Sequence, residues 1–187
     1  NTGYTITVTS AVKDRAGNGI APVTSAFSTD VCPKVRKGKP GFNDTIYAIV
    51  KSGCTLFAGG QFTSIGEAFS NGVSLDALTG KAAAGYTYED INGAVRAAVS
   101  DGNGGWYVGG NFTQIGSYAR NRLAHILANG EIAPWNPNAD ATVFALAVIG
   151  STVYAGGNFT TINGTARIRL AAIGTDGTLQ AWSPDAS

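Results

Sequence analysis

A glycine-rich phrase that recurs three times constrains the fold of this chain more than any other feature. It reads LFAGGQFTSIG from Leu56, WYVGGNFTQIG from Trp106 and VYAGGNFTTIN from Val153. The glycine pairs of successive copies lie 50 and then 47 residues apart. A period of this length accommodates one four-stranded blade, so the spacing predicts a β-propeller-type array.

The segments around the phrase have the composition of short strands. The third repeat contains ATVFALAVIG, STVYAGGNFT, IRLAAIGTDG and TLQAWSP, and the second contains GAVRAAVSDG, GWYVGGNFT, NRLAHILANG and EIAPWNP. Breaks such as SDGNGG and TDGT favour positive φ and reverse a β-ribbon. We therefore predict an all-β fold in which residues 44–187 form three four-stranded propeller-type blades, at about 44–91, 92–140 and 141–187.

The recurring residues have a structural explanation. Glycine inside a strand weakens it unless another group approaches closely, so we expect backbones to crowd at the glycine pairs and each phenylalanine to pack between adjacent blades. A phosphate-binding loop would need a helix directly after the glycines, but a polar loop and another strand follow them. Trp135 and Trp182 are expected to close their blades, with Tyr86 in their place in the first repeat. The structural repeat positions are Gly59, Gly60, Phe62, Gly109, Gly110, Phe112, Gly156, Gly157, Phe159, Trp135 and Trp182.

The side chains that could carry chemistry form no catalytic constellation in the sequence. His125 is the only histidine, and it aligns with Leu75 and Ala172 of the other repeats, which favours a structural role. The aspartates lie mostly in turns, where an aspartate usually bonds its own backbone. We therefore predict no catalytic residue, no cofactor and no metal site.

Four arginines recur at equal offsets in the second and third repeats, and Ser70 and Gly72 are aligned with them in the first. We expect them to bind loop carbonyls or to lie against an aromatic ring. A ligand-binding ring of arginines is the alternative. The four are Arg120, Arg122, Arg167 and Arg169.

The N-terminal part of the chain does not follow the repeat. Residues 1–30 contain an alternating strand over 4–8, a turn at DRAGNG and a second strand ending at Phe27, which predicts a hairpin. A lone hairpin is marginally stable in water, so this one is expected to pair with another element.

Residues 31–43 form a linker with a basic patch, which is either a solvated segment or a docking segment for an acidic neighbour. The net charge of +1 and the lack of interleaved aromatics argue against nucleic acid, and the patch comprises Lys34, Arg36, Lys37 and Lys39.

The two cysteines predict either a disulfide or two free thiols. Cys32 lies in the linker and Cys54 in the first hairpin turn, where the other repeats have no cysteine. A disulfide closing this 22-residue separation would contribute on the order of 3 kcal/mol and would imply an oxidising compartment. We favour the disulfide and, with it, an extracellular or cell-surface location.

Both parts of the chain resemble known bacterial modules. The phrase YxGGNFT…I…R.RLA…G…WxP, in three copies over residues 44–187, resembles the delta-60 type of bacterial β-propeller repeat. Residues 1–30, with the turn KDxAGN, resemble the closing hairpin of a bacterial Ig-like domain found in surface-layer and adhesin proteins. These resemblances imply a large secreted or surface-attached protein. Closed propellers have about four to eight blades, so three blades would need further repeats, dimerisation into a six-bladed ring, or head-to-tail assembly.

The combined observations predict a non-catalytic structural and interaction module. It would self-assemble through open sheet edges and the N-terminal hairpin, or bind other surface proteins. The alternative is a ligand-binding propeller that recognises glycan or protein on a loop face. Trp106 is the candidate for glycan contact because it replaces the aliphatic Leu56 and Val153. A hydrolase is a less favoured alternative. Separately, no apolar run in the sequence reaches the roughly 18 residues that a membrane-spanning helix needs.

Overall fold

The computed structural model describes the backbone and side chains of three stretches, together with the backbone of two N-terminal strands. The full description covers residues 42–63, 70–77 and 81–184, and the two strands cover 3–8 and 23–28. All regular structure in these ranges is β, with no helix, which confirms the all-β prediction. The chain divides into two compact units, Asn1–Pro33 and Lys34–Ser187.

The first unit contains one antiparallel strand pair at the position of the predicted hairpin. Strand β1 (Gly3–Val8) pairs with β2 (Val23–Ser28) along its full length. The predicted turn between them lies outside the described residues.

The first sheet of the second unit is antiparallel and three-stranded. Strands β3 (Ile46–Ser52), β4 (Thr55–Gly60) and β5 (Gly72–Asp76) follow one another in the order of the chain. The register of β3 against β4 shifts between Ile46 and Ala48, which indicates a β-bulge.

The second sheet repeats this plan and adds a small hairpin. Strands β6 (Val95–Ser100) and β7 (Trp106–Gly110) are followed by the two-residue strands β8 (Gln114–Ile115) and β9 (Tyr118–Ala119), which pair with each other. Strand β10 (Leu123–Ile126) then returns to the edge of β7, giving the order β6, β7, β10.

The third sheet has the same construction. Strands β11 (Val143–Ile149) and β12 (Thr152–Gly157) precede the small hairpin of β13 (Thr161–Ile162) and β14 (Thr165–Ala166). Strand β15 (Leu170–Gly174) pairs with β12 and completes the order β11, β12, β15.

A fourth segment lies beside the last strand of each sheet, but it is shorter than predicted. Each segment forms one isolated bridge, the three being Leu75 with Ala82, Ile126 with Ile132 and Ile173 with Leu179. Two backbone hydrogen bonds flank each bridge, as from Ala133 N to His125 O at 2.9 Å and from Leu127 N to Glu131 O at 2.8 Å. In the second repeat Pro134 follows this contact directly and lacks the amide hydrogen that would extend the pairing.

The hydrophobic core is layered between successive sheets. Strand β6 lies beside both β3 and β11. One cluster joins Phe57 of the first sheet to the buried residues of the second, and another joins Tyr107 of the second to those of the third. Phe112 and Phe159 are fully buried in these two clusters, whereas Phe62 packs with residues of the first repeat and stacks edge-on with Phe42. The second and third sheets therefore each bury one face against the sheet before it.

The two glycines of each recurrent pair are required by different neighbours. A Cβ placed on Gly110 would collide with the carbonyl of Ala94 and crowd Cα of Val95, at the start of the adjacent strand β6 in its own sheet. A Cβ on Gly109 would instead lie 2.7 Å from Cγ1 of Val143, in the next sheet. The predicted crowding at the glycines therefore involves the first strand of the same sheet and a side chain of the following sheet.

Candidate interaction surface

The most distinctive surface of the described residues is the outward face of the third sheet. Leu146 and Val148 of β11 pack toward the second sheet, while the alternate residues Ala145, Ala147 and Ile149 are exposed. We call this outward side the terminal face, and it comprises Ala145, Ala147, Ile149, Tyr154, Gly156, Leu170 and Trp182.

The terminal face has the same construction as the two faces that are covered by a neighbouring sheet. Gly156 pairs with Ala145, as Gly59 pairs with Ala48 and Gly109 with Ala97. These three glycines therefore occupy one position of the repeat.

Their surroundings differ only in whether a neighbouring sheet is present. A Cβ on Gly59 would lie 2.5 Å from Val95 of the second sheet, too close for any real contact. A Cβ on Gly156 would meet nothing nearer than Leu170 of its own sheet, at 3.5 Å, which is ordinary packing. The third sheet therefore has the glycine that, in the other two sheets, receives a side chain of the following sheet. No described sheet packs against it in the third.

The tryptophans near the ends of the second and third repeats show the same contrast. Trp135 stacks edge-on with Tyr107 at 5.0 Å, is only 5% exposed, and donates its indole N–H to the carbonyl of Gly174 in the third sheet at 2.9 Å. Trp182 stacks edge-on with Tyr154 at 5.3 Å but remains 45% exposed. Both tryptophans therefore pack edge-on against a tyrosine of their own repeat, with and without a following sheet.

The aromatic residue of the first repeat behaves as their counterpart. Tyr86 packs against the cluster that joins the first two sheets. Burial raises the pKa of Tyr86 to about 12. This placement agrees with the expectation that Tyr86 takes the place of the tryptophans.

His125 belongs to a polar cluster that braces a turn. Its Nε2 lies 2.9 Å from Oδ2 of Asp101, and its ring stacks on Tyr107 at 4.2 Å. The other carboxylate oxygen of Asp101 accepts the amides of Asn103 and Gly105 at 2.7 and 2.8 Å. Burial by itself would raise the pKa of Asp101, but the hydrogen bonds from His125 and the two amides outweigh it and lower that pKa. The cluster stabilises the turn between β6 and β7.

The strand register corrects the predicted alignment of His125. It pairs with Tyr107, and the equivalent partners of Phe57 and Tyr154 are Ser74 and Ala172. Ser74, not Leu75, therefore corresponds to His125. Because side chains alternate across a strand, the one-residue difference moves the position to the opposite face of the sheet.

Arg120 and Arg167, two of the four recurrent arginines, bind backbone carbonyls, which is the structural role expected for them. Arg120 donates to the carbonyls of Ala119 and Ala133, each at 2.8 Å. Arg167 donates in the same way to Ala166 and Gln180, each at 2.7 Å. Each of these side chains joins the small hairpin to the fourth segment of its repeat.

The other two recurrent arginines have a different counterpart from the one predicted. Arg122 and Arg169 have positive φ angles of 64° and 63°, and so does Asn71, at 64°. The amides of these three residues also donate to the carbonyl of the phrase phenylalanine in their own repeat. Asn71 therefore takes this position in the first repeat, not Gly72, since asparagine tolerates the left-handed conformation well.

The structure corrects the expectation for Trp106, the candidate for glycan contact. Its side chain is fully buried between the first two sheets, lies 5.7 Å from Phe57, and donates its indole N–H to Oγ of Ser74 at 3.0 Å. An indole without exposed surface cannot stack on a sugar ring. The larger aromatic fills the space between the sheets.

Two predicted features, the disulfide and the basic patch, involve residues outside the described ranges. Cys54 is exposed in the turn between β3 and β4, but Cys32 is not described, so the disulfide stays a prediction. The basic patch also lies outside the described residues and comprises Lys34, Arg36, Lys37 and Lys39.

A side-chain clamp that we did not predict recurs in every repeat. Oδ1 of Asn92 accepts the amides of Thr113 and Gln114 at 2.8 and 2.9 Å, and Oδ1 of Asp140 accepts those of Thr160 and Thr161 at 2.8 and 3.0 Å. Asn43 forms the equivalent clamp to Thr63 in the first repeat. Each clamp holds the threonine of the glycine-rich phrase, and the sequence signal was an Asn or Asp 20 or 21 residues before it.

The clamp perturbs the carboxyl group of Asp140. Burial by itself would raise its pKa, but hydrogen bonds from the Thr160 side chain and from the Thr160 and Thr161 amides together outweigh it and lower the pKa to about 2. The carboxylate is thus a satisfied acceptor in a turn, and no second carboxylate is involved in its clamp.

Comparisons with protein-family models, curated proteins and solved structures found no match. Within the described ranges, no group of three or more histidine, cysteine or acidic side chains could hold a metal ion. The same residues contain no helix long and apolar enough to cross a membrane.

Proposed function

We propose that this chain is a non-catalytic, secreted or cell-surface module of three propeller-type blades, and that it associates through its open sheet faces. The observation that carries the proposal is the terminal face, in which a receiving glycine and a closing tryptophan are retained in the geometry that the covered sheets use. An apolar surface of this kind is a site of association when it is left open.

The propeller-type interpretation of the three sheets belongs to the same proposal. It is supported by their common antiparallel order, by the fourth segment that bridges each last strand, and by the packing of successive first strands beside one another. Repeat arrays of this kind bury a continuous core only by stacking neighbouring units. The hairpin β1–β2 remains a second expected route of association through strand addition.

Two observations favour association over ligand recognition. Trp106 is buried, which removes the side chain on which glycan binding depended. Arg120 and Arg167 are committed to backbone carbonyls, and this disfavours a ring of arginines around a ligand.

Sedimentation velocity of the 187-residue chain tests the proposal. We expect species larger than the monomer, in proportions that increase with protein concentration, and the run is repeated with reductant to separate association from disulfide exchange. A chain that stays monomeric at every concentration while retaining its β-sheet circular dichroism would contradict the proposed function.

A further inference from the structure

We propose that two copies of this chain associate head to tail, with the first sheet of one copy covering the terminal face of the other. The proposal rests on the proposed function and names its partner and its geometry. Each face covered by a following sheet has a branched aliphatic residue of that sheet opposite its glycine. Val143 meets Gly109 in this way, and Val95 meets Gly59.

The first sheet carries the residue that would meet Gly156 of another copy. Ile46 pairs with Gly60 at the start of β3, as Val95 pairs with Gly110 and Val143 with Gly157 at the starts of their strands. Ile46 is therefore the third branched aliphatic residue of this position.

A second residue of β3 supports the same contact. Leu146 of β11 contributes to the covered face of the second sheet, and its Cδ1 lies 3.4 Å from a Cβ built on Gly109. Ile49 occupies the equivalent register position, opposite Ala58 as Leu146 is opposite Ala155. Yet Ile49 is 68% exposed. The first sheet therefore exposes to solvent an aliphatic side chain at the position that packs between sheets in the third.

The two exposed surfaces are complementary to each other and differ from each other. We call the side of β3 that presents Ile46 and Ile49 the leading face. The glycine and alanine residues of a terminal face leave room for the branched aliphatic side chains of a leading face. Two terminal faces packed against each other would leave that room unfilled. Lys51 of β3 occupies the position that corresponds to Val148 of β11. Because a lysine replaces an apolar residue there, the two faces would meet most closely at the end of the sheet where Gly156 lies. The contact is heterologous, and it generates rings or open chains depending on whether its rotation closes.

A complementation experiment with two charged variants tests this geometry. Ala147→Lys disables the terminal face and Ile49→Lys disables the leading face, each at an exposed position. Asn103→Lys, in an exposed turn of the middle repeat, is the matched control for an added positive charge. Circular dichroism and urea unfolding first establish that all three variants fold like the parent chain.

Each disabled variant is expected to weaken self-association at least about tenfold in dissociation constant, since a charge would be buried in an apolar contact. An equimolar mixture of the two should form a 1:1 complex that does not grow further, because one intact leading face meets one intact terminal face. The control should associate like the parent chain. Sedimentation velocity with one variant fluorescently labelled measures all three results.

The failures of this inference and of the proposed function are distinguishable. A parent chain that remains monomeric overturns both. If the parent associates but Ile49→Lys associates equally well alone, the leading face is not used and the head-to-tail inference fails, while association through an open face stands. A mixture that forms no 1:1 complex also overturns the head-to-tail arrangement.

Discussion

The same substitution, glycine to alanine, should have opposite effects on stability at two equivalent positions of the repeat. At Gly109 a new Cβ would lie 2.7 Å from Cγ1 and 3.2 Å from Cβ of Val143. Favourable carbon–carbon contacts lie at about 3.5–4.0 Å, and valine is stiff at χ1. Relief therefore requires the second and third sheets to move apart. At Gly156 the nearest atoms lie at 3.5 and 3.7 Å, and nothing has to move.

The magnitudes follow from two opposing effects. Overpacking a well-packed core costs about 1–3 kcal/mol. Replacing glycine by alanine in a compatible conformation stabilises by about 0.4–1 kcal/mol, because the unfolded chain loses conformational freedom. Gly109→Ala should therefore lower the free energy of unfolding by about 1–2 kcal/mol, whereas Gly156→Ala should raise it by about 0.5 kcal/mol. Gly59→Ala should be at least as damaging as Gly109→Ala, since its Cβ would lie 2.5 Å from Val95.

Urea unfolding followed by tryptophan fluorescence and far-ultraviolet circular dichroism measures these differences. The protein is kept at low concentration so that self-association does not contribute to the apparent stability. Coincident transitions and unchanged m-values are required for the comparison. Equal stability of Gly109→Ala and Gly156→Ala, or a lower stability of the latter, would refute the assignment of the terminal face as uncovered.

Three further predictions concern single side chains. Trp135→Phe should destabilise the chain by about 1–3 kcal/mol, because it removes a buried hydrogen bond between the second and third sheets and shrinks a buried ring. Trp182→Phe, at the exposed counterpart, should change the urea midpoint little. A similar loss at both positions would argue against their different environments. Asp140→Ala should cost about 1 kcal/mol through loss of its clamp, whereas Asp140→Asn should be tolerated at neutral pH, since Asn92 forms the same clamp. Asp140 and Asp101 have lowered pKa values in the folded chain, so their contribution is complete above the ordinary aspartate pKa and is lost on acidification. Urea midpoints between about pH 5 and pH 2 should therefore fall less for Asp140→Asn than for the parent chain, and an equal fall would contradict this account.

The fold class was predictable because its signals are local. Alternating apolar segments and turn pairs such as those in SDGNGG act within a few residues, and they predicted strands β6, β7, β11 and β12 at about their observed places. The fourth strand was overpredicted. Its apolar composition resembled a strand, but its backbone pairing ends after one bridge in each repeat.

The roles of individual side chains were less predictable, because they depend on distant partners. The clamp from Asn92 to Thr113 spans 21 residues, so no local pattern identifies it. His125 was aligned one residue away from its true counterpart, Ser74, since only the hydrogen-bonded register determines which residues share a face. Asn71 was missed for a related reason: its equivalence to Arg122 rests on a positive φ angle that composition does not show.

The sequence by itself determined the repeat, its period and the residue types that permit close packing. Which of these residues are buried was decided by the tertiary structure. Trp135 and Trp182 occupy the same position of the repeat, yet the first is 5% exposed and the second is 45% exposed. The physical reason is the neighbouring sheet: Gly59 and Gly109 are covered by a valine of the following sheet, whereas Gly156 has only its own sheet nearby. A repeat specifies identical faces, and stacking determines which of them remain open.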